Sequence, residues 1–304
     1  MSLALALLPS WADLESGLRI GLALLVGLGI ATAIVTNLKR QVGTGSLRAQ
    51  VTSWWWLLPP VFLAWALRPV GLVVLVLAMS LLAAVDLARL AARPASRLAA
   101  PGLLVALILQ SLLLSRGWAL ACVAAMGALA AVLFAAWRMA PGARRDALLL
   151  ALFATQAAGL GCLAALAVDG LPRAADWCLY LCIVTALNDI GQYLAGTFLG
   201  RHKMSLRISP NKTWQGFGGG LAASTLFSLA IGHALALATW PWLAGMGLLL
   251  SAAGLVGDLL FSAGKRALGI KDYSALIPGH GGILDRVDSL VLTAPVLLLA
   301  LHFA

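Results

Sequence analysis

Long apolar runs separated by short polar segments set the pattern of this chain. The runs fall at about 17–36, 54–67, 70–85, 101–115, 117–137, 147–168, 177–200, 216–239, 242–263 and 289–303. A helix that crosses a bilayer takes roughly 20 apolar residues, so most of these runs suffice on their own. The second, third, fourth and tenth are shorter and need tilt, re-entry or their flanks. The pattern predicts an all-α polytopic membrane protein with nine or ten transmembrane helices. Its two parts differ in character. Residues 1–145 hold three acids, Asp13, Glu15 and Asp86, and read as scaffold helices that bury no charge. Residues 146–304 carry polar, Gly-rich loops at 201–215 and 264–288, and the chemistry is expected there.

Composition removes whole classes of answer. Of 304 residues, 62% are hydrophobic and 11% charged, and the mean hydropathy is +0.98. Soluble domains, disordered chains and secreted disulfide scaffolds do not have this balance. Lys and Arg number 21 against 11 acids, a net charge of +10. Most of that excess follows the odd-numbered runs, at Lys39, Arg40, Arg48, Arg89, Arg93, Arg97, Arg138, Arg144, Arg145, Arg201, Lys203, Arg207, Lys212, Lys265, Arg266, Lys271 and Arg286. Only Arg19, Arg68, Arg116 and Arg173 fall on the other side. The positive-inside rule then puts both termini outside and the odd-to-even loops in the cytoplasm, as for an integral protein of a bacterial-type inner membrane. Trp54, Trp55, Trp56, Trp240 and Trp242 stand at run ends, as an aromatic belt requires. No basic stretch is long enough to form a nucleic-acid groove. Cys122, Cys162, Cys178 and Cys182 lie in apolar runs without zinc spacing and read as small buried hydrophobes. The first fifteen residues lack the basic leader of a signal peptide and read as part of the mature protein.

Two regions concentrate chemistry. In Gly200–Gly216, the cations Arg201, Lys203, Arg207 and Lys212 alternate with Ser205, Ser209, Asn211 and Thr213, and glycines open the next apolar run. Such a segment suits a polyphosphate grip at a helix N-terminus. It equally suits a positive-inside loop that precedes a Gly-rich helix contact. Asp189 lies inside the seventh run, where a carboxylate is expensive and needs a partner. In the second region, Asp258 and Ser262 share a helix face with Lys265 and Arg266 one turn on. Lys271, Asp272 and Pro278-Gly279-His280-Gly281-Gly282 follow, and Asp285, Arg286 and Asp288 begin the last run. Two carboxylate-bearing helix ends meeting at one membrane face suit Mg²⁺, with substrate phosphates completing its shell. His280 reads either as a phosphate ligand or acid, or as a residue that orients the loop.

The stretch Ser262-x-x-Lys265-Arg266-x4-Lys271-Asp272-x5-Pro278-x-His280-Gly281-Gly282-x2-Asp285-Arg286-x-Asp288 resembles the signature of the phosphatidate cytidylyltransferases. Ser209-Pro210-Asn211-Lys212-Thr213-Trp214 is similar to a second block of that family. The resemblance implies transfer of cytidylyl from CTP to phosphatidate in phospholipid biosynthesis, with release of pyrophosphate. It implies a metal-dependent site open to cytoplasm and lipid, with Mg²⁺ and possible use of a monovalent cation, in a homodimer. Asp258 and Asp285 match metal-binding positions, and Asp288 is a third or supporting carboxylate. Lys265 and Arg266 join these three as catalytic residues. Asp189, Lys203, Ser209, Lys212, Thr213, Ser262, Lys271, His280 and Arg286 are the expected substrate contacts. The chain departs from the pattern at Phe261 and Gln215, where common members have Glu. It also has Asn188-Asp189-Ile190-Gly191-Gln192 where they read Asp-Thr-Gly-Ala. The alternatives are a CTP-dependent lipid kinase, transfer to another phospholipid and, more remotely, an ion-coupled transporter.

Overall fold

The computed structural model describes residues 11–37, 44–90, 141–168, 173–274 and 281–303. In chain order these form α1 (Trp11–Asn37), α2 (Thr44–Ala66), α3 (Val70–Arg89), α4 (Pro141–Val168) and α5 (Ala174–Phe198). A hairpin of β1 (Lys203–Ser205) and β2 (Ser209–Thr213) follows, and then α6 (Trp214–Ala234), α7 (Trp240–Ala267) and α8 (Leu284–His302). The described residues are therefore mostly helical, and α3, α5, α6 and α7 are each long and apolar enough to cross a membrane. The expected runs at 101–115 and 117–137, with Cys122, lie outside the described residues.

Several boundaries differ from the apolar runs, three of them for a clear physical reason. The second run begins at 54, yet α2 begins at Thr44, because polar residues outside an apolar stretch can still continue a helix. The ninth run ends near 263, whereas α7 continues to Ala267 and carries Lys265 and Arg266 in its last turn. Gly269 stops it there, with φ of 73°, a conformation that favours glycine. Its N–H donates to Arg266 O at 3.1 Å, and Ile270 N–H donates to Lys265 O at 3.0 Å. These two bonds form the Schellman closure of a helix end. The tenth run begins at 289, but α8 starts at Leu284, so Asp285 and Asp288 belong to its first two turns.

The polar loop at 201–215 is also more ordered than its composition suggested. β1 and β2 pair antiparallel, with Lys203 opposite Thr213 and Ser205 opposite Ser209. Thr213 then caps α6, its hydroxyl accepting from Gly216 N–H at 3.0 Å. Hairpin and helix are thereby joined with no residue between them.

The core centres on α4, whose residues from Leu148 to Ala167 are almost all buried. α3, α5 and α8 pack around it, and α6 and α7 extend the bundle from α5 and α8. Cys162 and Cys178 are buried as expected, while Cys182 is partly exposed. Trp55, Trp56 and Trp240 project from the bundle, as residues of an interfacial belt would. One expectation is overturned. Asp86 on α3 is only 1% exposed, so the first half of the chain does bury a charge-bearing side chain.

Candidate active site

Close helix packing creates the site. Gly257 on α7 faces the backbone of α8, where an added Cβ would stand 2.5 Å from Asp288 O. With no side chain there, α7 and α8 approach closely and bring Asp258 near Asp288. On the other side, α5 and α6 meet through Gly191, Gly219 and Gly220, as small residues allow in membrane bundles. This seam sets Asn188, Asp189 and Gln192 of α5 near the hairpin and α7.

Lys212 is the centre of the arrangement. From β2 its Nζ reaches Asp258 Oδ2 at 2.6 Å and Gln192 Oε1 at 2.9 Å. Burial alone would lower its pKa, but the charges of Asp258 and Asp189 outweigh burial and raise it above the ordinary 10.5. Its ammonium therefore stays charged. Two of its three N–H donors are engaged, which leaves the third for a ligand. Asp258 Oδ1 accepts from Ser262 Oγ at 3.2 Å, the contact expected for residues four apart on one helix face. Asp189 accepts from Asn188 Nδ2 at 3.2 Å and from Ser289. Asn188 Oδ1 accepts in turn from Ser251 Oγ at 2.6 Å. Asp189, Asp258 and Asp288 interact electrostatically with one another and with Lys212.

A second ion pair lies alongside. Lys265 Nζ is 2.7 Å from Asp285 Oδ1, and both side chains are largely buried, at 11% and 5% exposure. Asp285 Oδ2 accepts from Tyr273 N–H at 3.0 Å and Gly282 N–H at 2.9 Å. Both oxygens of Asp285 are thus engaged. Tyr273 packs edge-on against Phe261 and donates its hydroxyl to Phe261 O at 2.9 Å. Burial, with the nearby charges of Asp285 and Asp288, pushes the phenol well above its usual value, so it stays a neutral donor.

The structure brings together half of the fourteen expected residues, in different postures. Asp189, Lys212, Asp258, Ser262 and Asp288 share one network, and Lys265 and Asp285 form the adjoining pair. Arg266 instead holds backbone, donating to Ile208 O and Ile270 O at 3.2 Å each. It ties the hairpin turn to the end of α7. Thr213, an expected substrate contact, is 2% exposed, and its hydroxyl caps α6. Lys203, Lys271 and Arg286 are exposed, Ser209 is partly so, and His280 lies outside the described residues.

The departures from the family pattern have local explanations. Gln215 Oε1 accepts from Arg201 N–H and His202 N–H, both at 3.1 Å, and its amide meets His202 Nδ1 at 2.8 Å. It clamps the entry to the hairpin. Phe261 is fully buried and serves the core. Gln192, Asn188, Ser251, Ser289 and Tyr273 were not singled out as site residues from the sequence. A polar residue within an apolar run was the available signal for the first four.

The donor set suits a hard divalent cation in its chemistry, since the oxygens of Asp189, Asp258 and Asp288 come from three helices. Among the described residues no group of three or more metal-binding side chains converges to hold an ion by itself.

Comparisons with known proteins identify the family of the chain. The model of the cytidylyltransferase family matches residues 48–304. A phosphatidate cytidylyltransferase of Staphylococcus aureus (strain COL) is 45% identical over 120 residues, 39% of this chain and 46% of that protein. One from Mycobacterium leprae (strain TN) is 40% identical over 129 residues, 42% of this chain and 40% of that protein. The uncharacterised protein YnbB of Escherichia coli (strain K12) is 46% identical over 118 residues, 39% of this chain and 40% of that protein. The matched stretches thus span less than half the length of these curated relatives.

Proposed function

The chain belongs to the cytidylyltransferase family, and from that premise we propose that it transfers cytidylyl from CTP to phosphatidate, forming CDP-diacylglycerol and pyrophosphate. The observation that carries this reading is the meeting of Lys212 with Asp258, beside Asp189 and Asp288, where the hairpin joins α5, α7 and α8. A lysine with a spare donor among carboxylates suits a triphosphate, and the surrounding apolar helices suit a lipid partner. The named relatives support the same activity.

The phosphate monoester of phosphatidate is already anionic near neutral pH and needs no strong base. One of its oxygens attacks the α-phosphorus of CTP, a new P–O bond forms, and the bond to pyrophosphate breaks roughly in line. The main obstacle is repulsion between two polyanions. Lys212 and Lys265 offset that repulsion and the charge that develops on the leaving group. Gln192 and Asp258 keep the Lys212 ammonium aimed while the substrates arrive. Arg266 fixes the hairpin turn that carries Ser209 beside them. When bound through Asp258 and Asp288, Mg²⁺ would add neutralisation of the triphosphate. Asp258 would bind it by giving up part of its contact with Lys212, and Asp285 would join these ligands if Lys265 gave way.

The ten-helix topology, with both termini outside and the catalytic loops on the cytoplasmic side of an inner membrane, belongs to the same proposal. Its support is the alternation of basic loops along the chain. A homodimer is part of the proposal on family resemblance alone.

The test is an assay of purified protein with labelled CTP against a panel of phospholipids. The proposal expects a liponucleotide and pyrophosphate in equal amounts, with phosphatidate the preferred acceptor. CDP with a newly phosphorylated lipid would assign a kinase instead, and turnover only with another phospholipid would reassign the acceptor.

A further inference from the structure

Asp86 is the one acid of the first half whose side chain is described, and it is buried against the second half. It stands near the end of α3, 1% exposed. Its Oδ2 accepts from Leu284 N–H at 3.4 Å, across 198 residues of chain. Leu284 is the first residue of α8 and is fully buried. The residue before it, Ile283, occupies the cap position and has no side-chain oxygen to offer. A buried helix end without a cap leaves N–H groups unsatisfied. Here a carboxylate from another helix takes the place of the missing local cap and adds a favourable charge at the positive end of the helix.

The fit on the turn is close. An added Cβ on Gly282 would collide with Asp86 Oδ2 and approach Ser274 Oγ to 2.8 Å. Gly282 N–H donates on its other side to Asp285 Oδ2 at 2.9 Å. The turn that presents Asp285 to Lys265 is therefore held between two carboxylates, one of its own and one from α3. Asp86 Oδ1 has no hydrogen-bond partner among the described residues.

We propose that Asp86 is a positioning residue for the active site: it caps α8 from the N-terminal half and locks the Gly281–Asp285 turn, so that the Lys265–Asp285 pair sits at a fixed place. The link to catalysis rests on the reading given under Proposed function. The link to the turn does not. The first half of the chain then acts as more than a scaffold, because it holds the turn that carries Asp285.

Hydrogen exchange of the full-length protein in lipid nanodiscs, without substrate, tests the positional claim independently of any reaction. Loss of a cap shifts local opening by roughly tenfold. Asp86→Ala is expected to raise exchange of the Gly282–Arg286 amides by about that factor and to leave the 203–213 hairpin unchanged. Asp86→Asn keeps an acceptor oxygen and is expected to retain most of the protection. In the phosphatidate assay, Asp86→Ala should lower kcat more than it changes the KM for CTP, with Asp86→Asn restoring most of it. Should Asp86→Ala fail to fold, Gly282→Ala, which pushes the turn off Asp86, is expected to give the same local loss. Exchange unchanged at 282–286, raised evenly through the bundle, or raised equally by Asp86→Ala and Asp86→Asn overturns the proposal. Altered exchange in a protein that makes no liponucleotide would leave the positional claim standing and remove the catalytic one.

Discussion

Lys212 Nζ lies 2.6 Å from Asp258 Oδ2, which joins the phosphate-binding hairpin of the proposed mechanism to the carboxylate face of α7. The pair is about one-fifth exposed on each side, at 20% and 24%, so a ligand can still reach it. Asp258→Asn removes the charge and keeps the shape. Its turnover of CTP should fall by at least about 100-fold, on the scale of losing one electrostatic contact to a transition state. The variant should elute as a folded protein. Wild-type rates from it would remove Asp258 from the chemistry.

The alkaline behaviour of Lys212 follows from its neighbours. Its pKa is raised above 10.5, so its charged form, and the ion pair with Asp258, persist up to that pH and are lost only as pH rises through the folded value. A pH profile across the neutral range should show no limb due to Lys212. An alkaline limb well below pH 10.5 that disappears in Lys212→Arg would contradict this.

Lys265 and Asp285 make a more secluded pair. Removing one partner from a buried pair costs about 3–5 kcal/mol, because the other charge is left uncompensated. Lys265→Met and Asp285→Asn should each lower the unfolding midpoint in detergent. The double variant should recover much of the loss in stability without recovering turnover. Additive destabilisation in the cycle would show that the two side chains do not act as a pair.

Chelation addresses the cation. EDTA should stop liponucleotide synthesis and added Mg²⁺ should restore it, with Ca²⁺ a poor substitute because of its larger size and looser shell. Full activity after exhaustive chelation would take the divalent ion out of the mechanism.

Gly257 tests the packing that gathers the site. In Gly257→Ala the methyl meets Asp288 O at 2.5 Å, so α7 and α8 must move apart. Overpacking of this kind typically costs about 1–3 kcal/mol. Activity should fall further than stability, since Asp258 and Asp288 ride on the two helices that separate. A variant as active and as stable as the parent would show that the close approach is not needed.

Much of this protein is legible in its residues alone. Apolar length announces membrane helices because the bilayer core leaves backbone polar groups no partner but the helix itself. The register of Asp258 with Ser262, and of Asp285 with Asp288, follows from helical geometry. The cluster of Ser, Lys, Arg, Asp and Gly at 262–288 points to phosphate chemistry because such groups are costly beside lipid. Tertiary structure decided the partners. Lys212 with Asp258 and Gln192, Lys265 with Asp285, and Asp86 with Leu284 all join helices or strands distant in sequence. Helical periodicity can specify which face a side chain occupies, but not which helix that face meets. That choice depends on where glycines let helices approach and where a buried polar atom finds its partner.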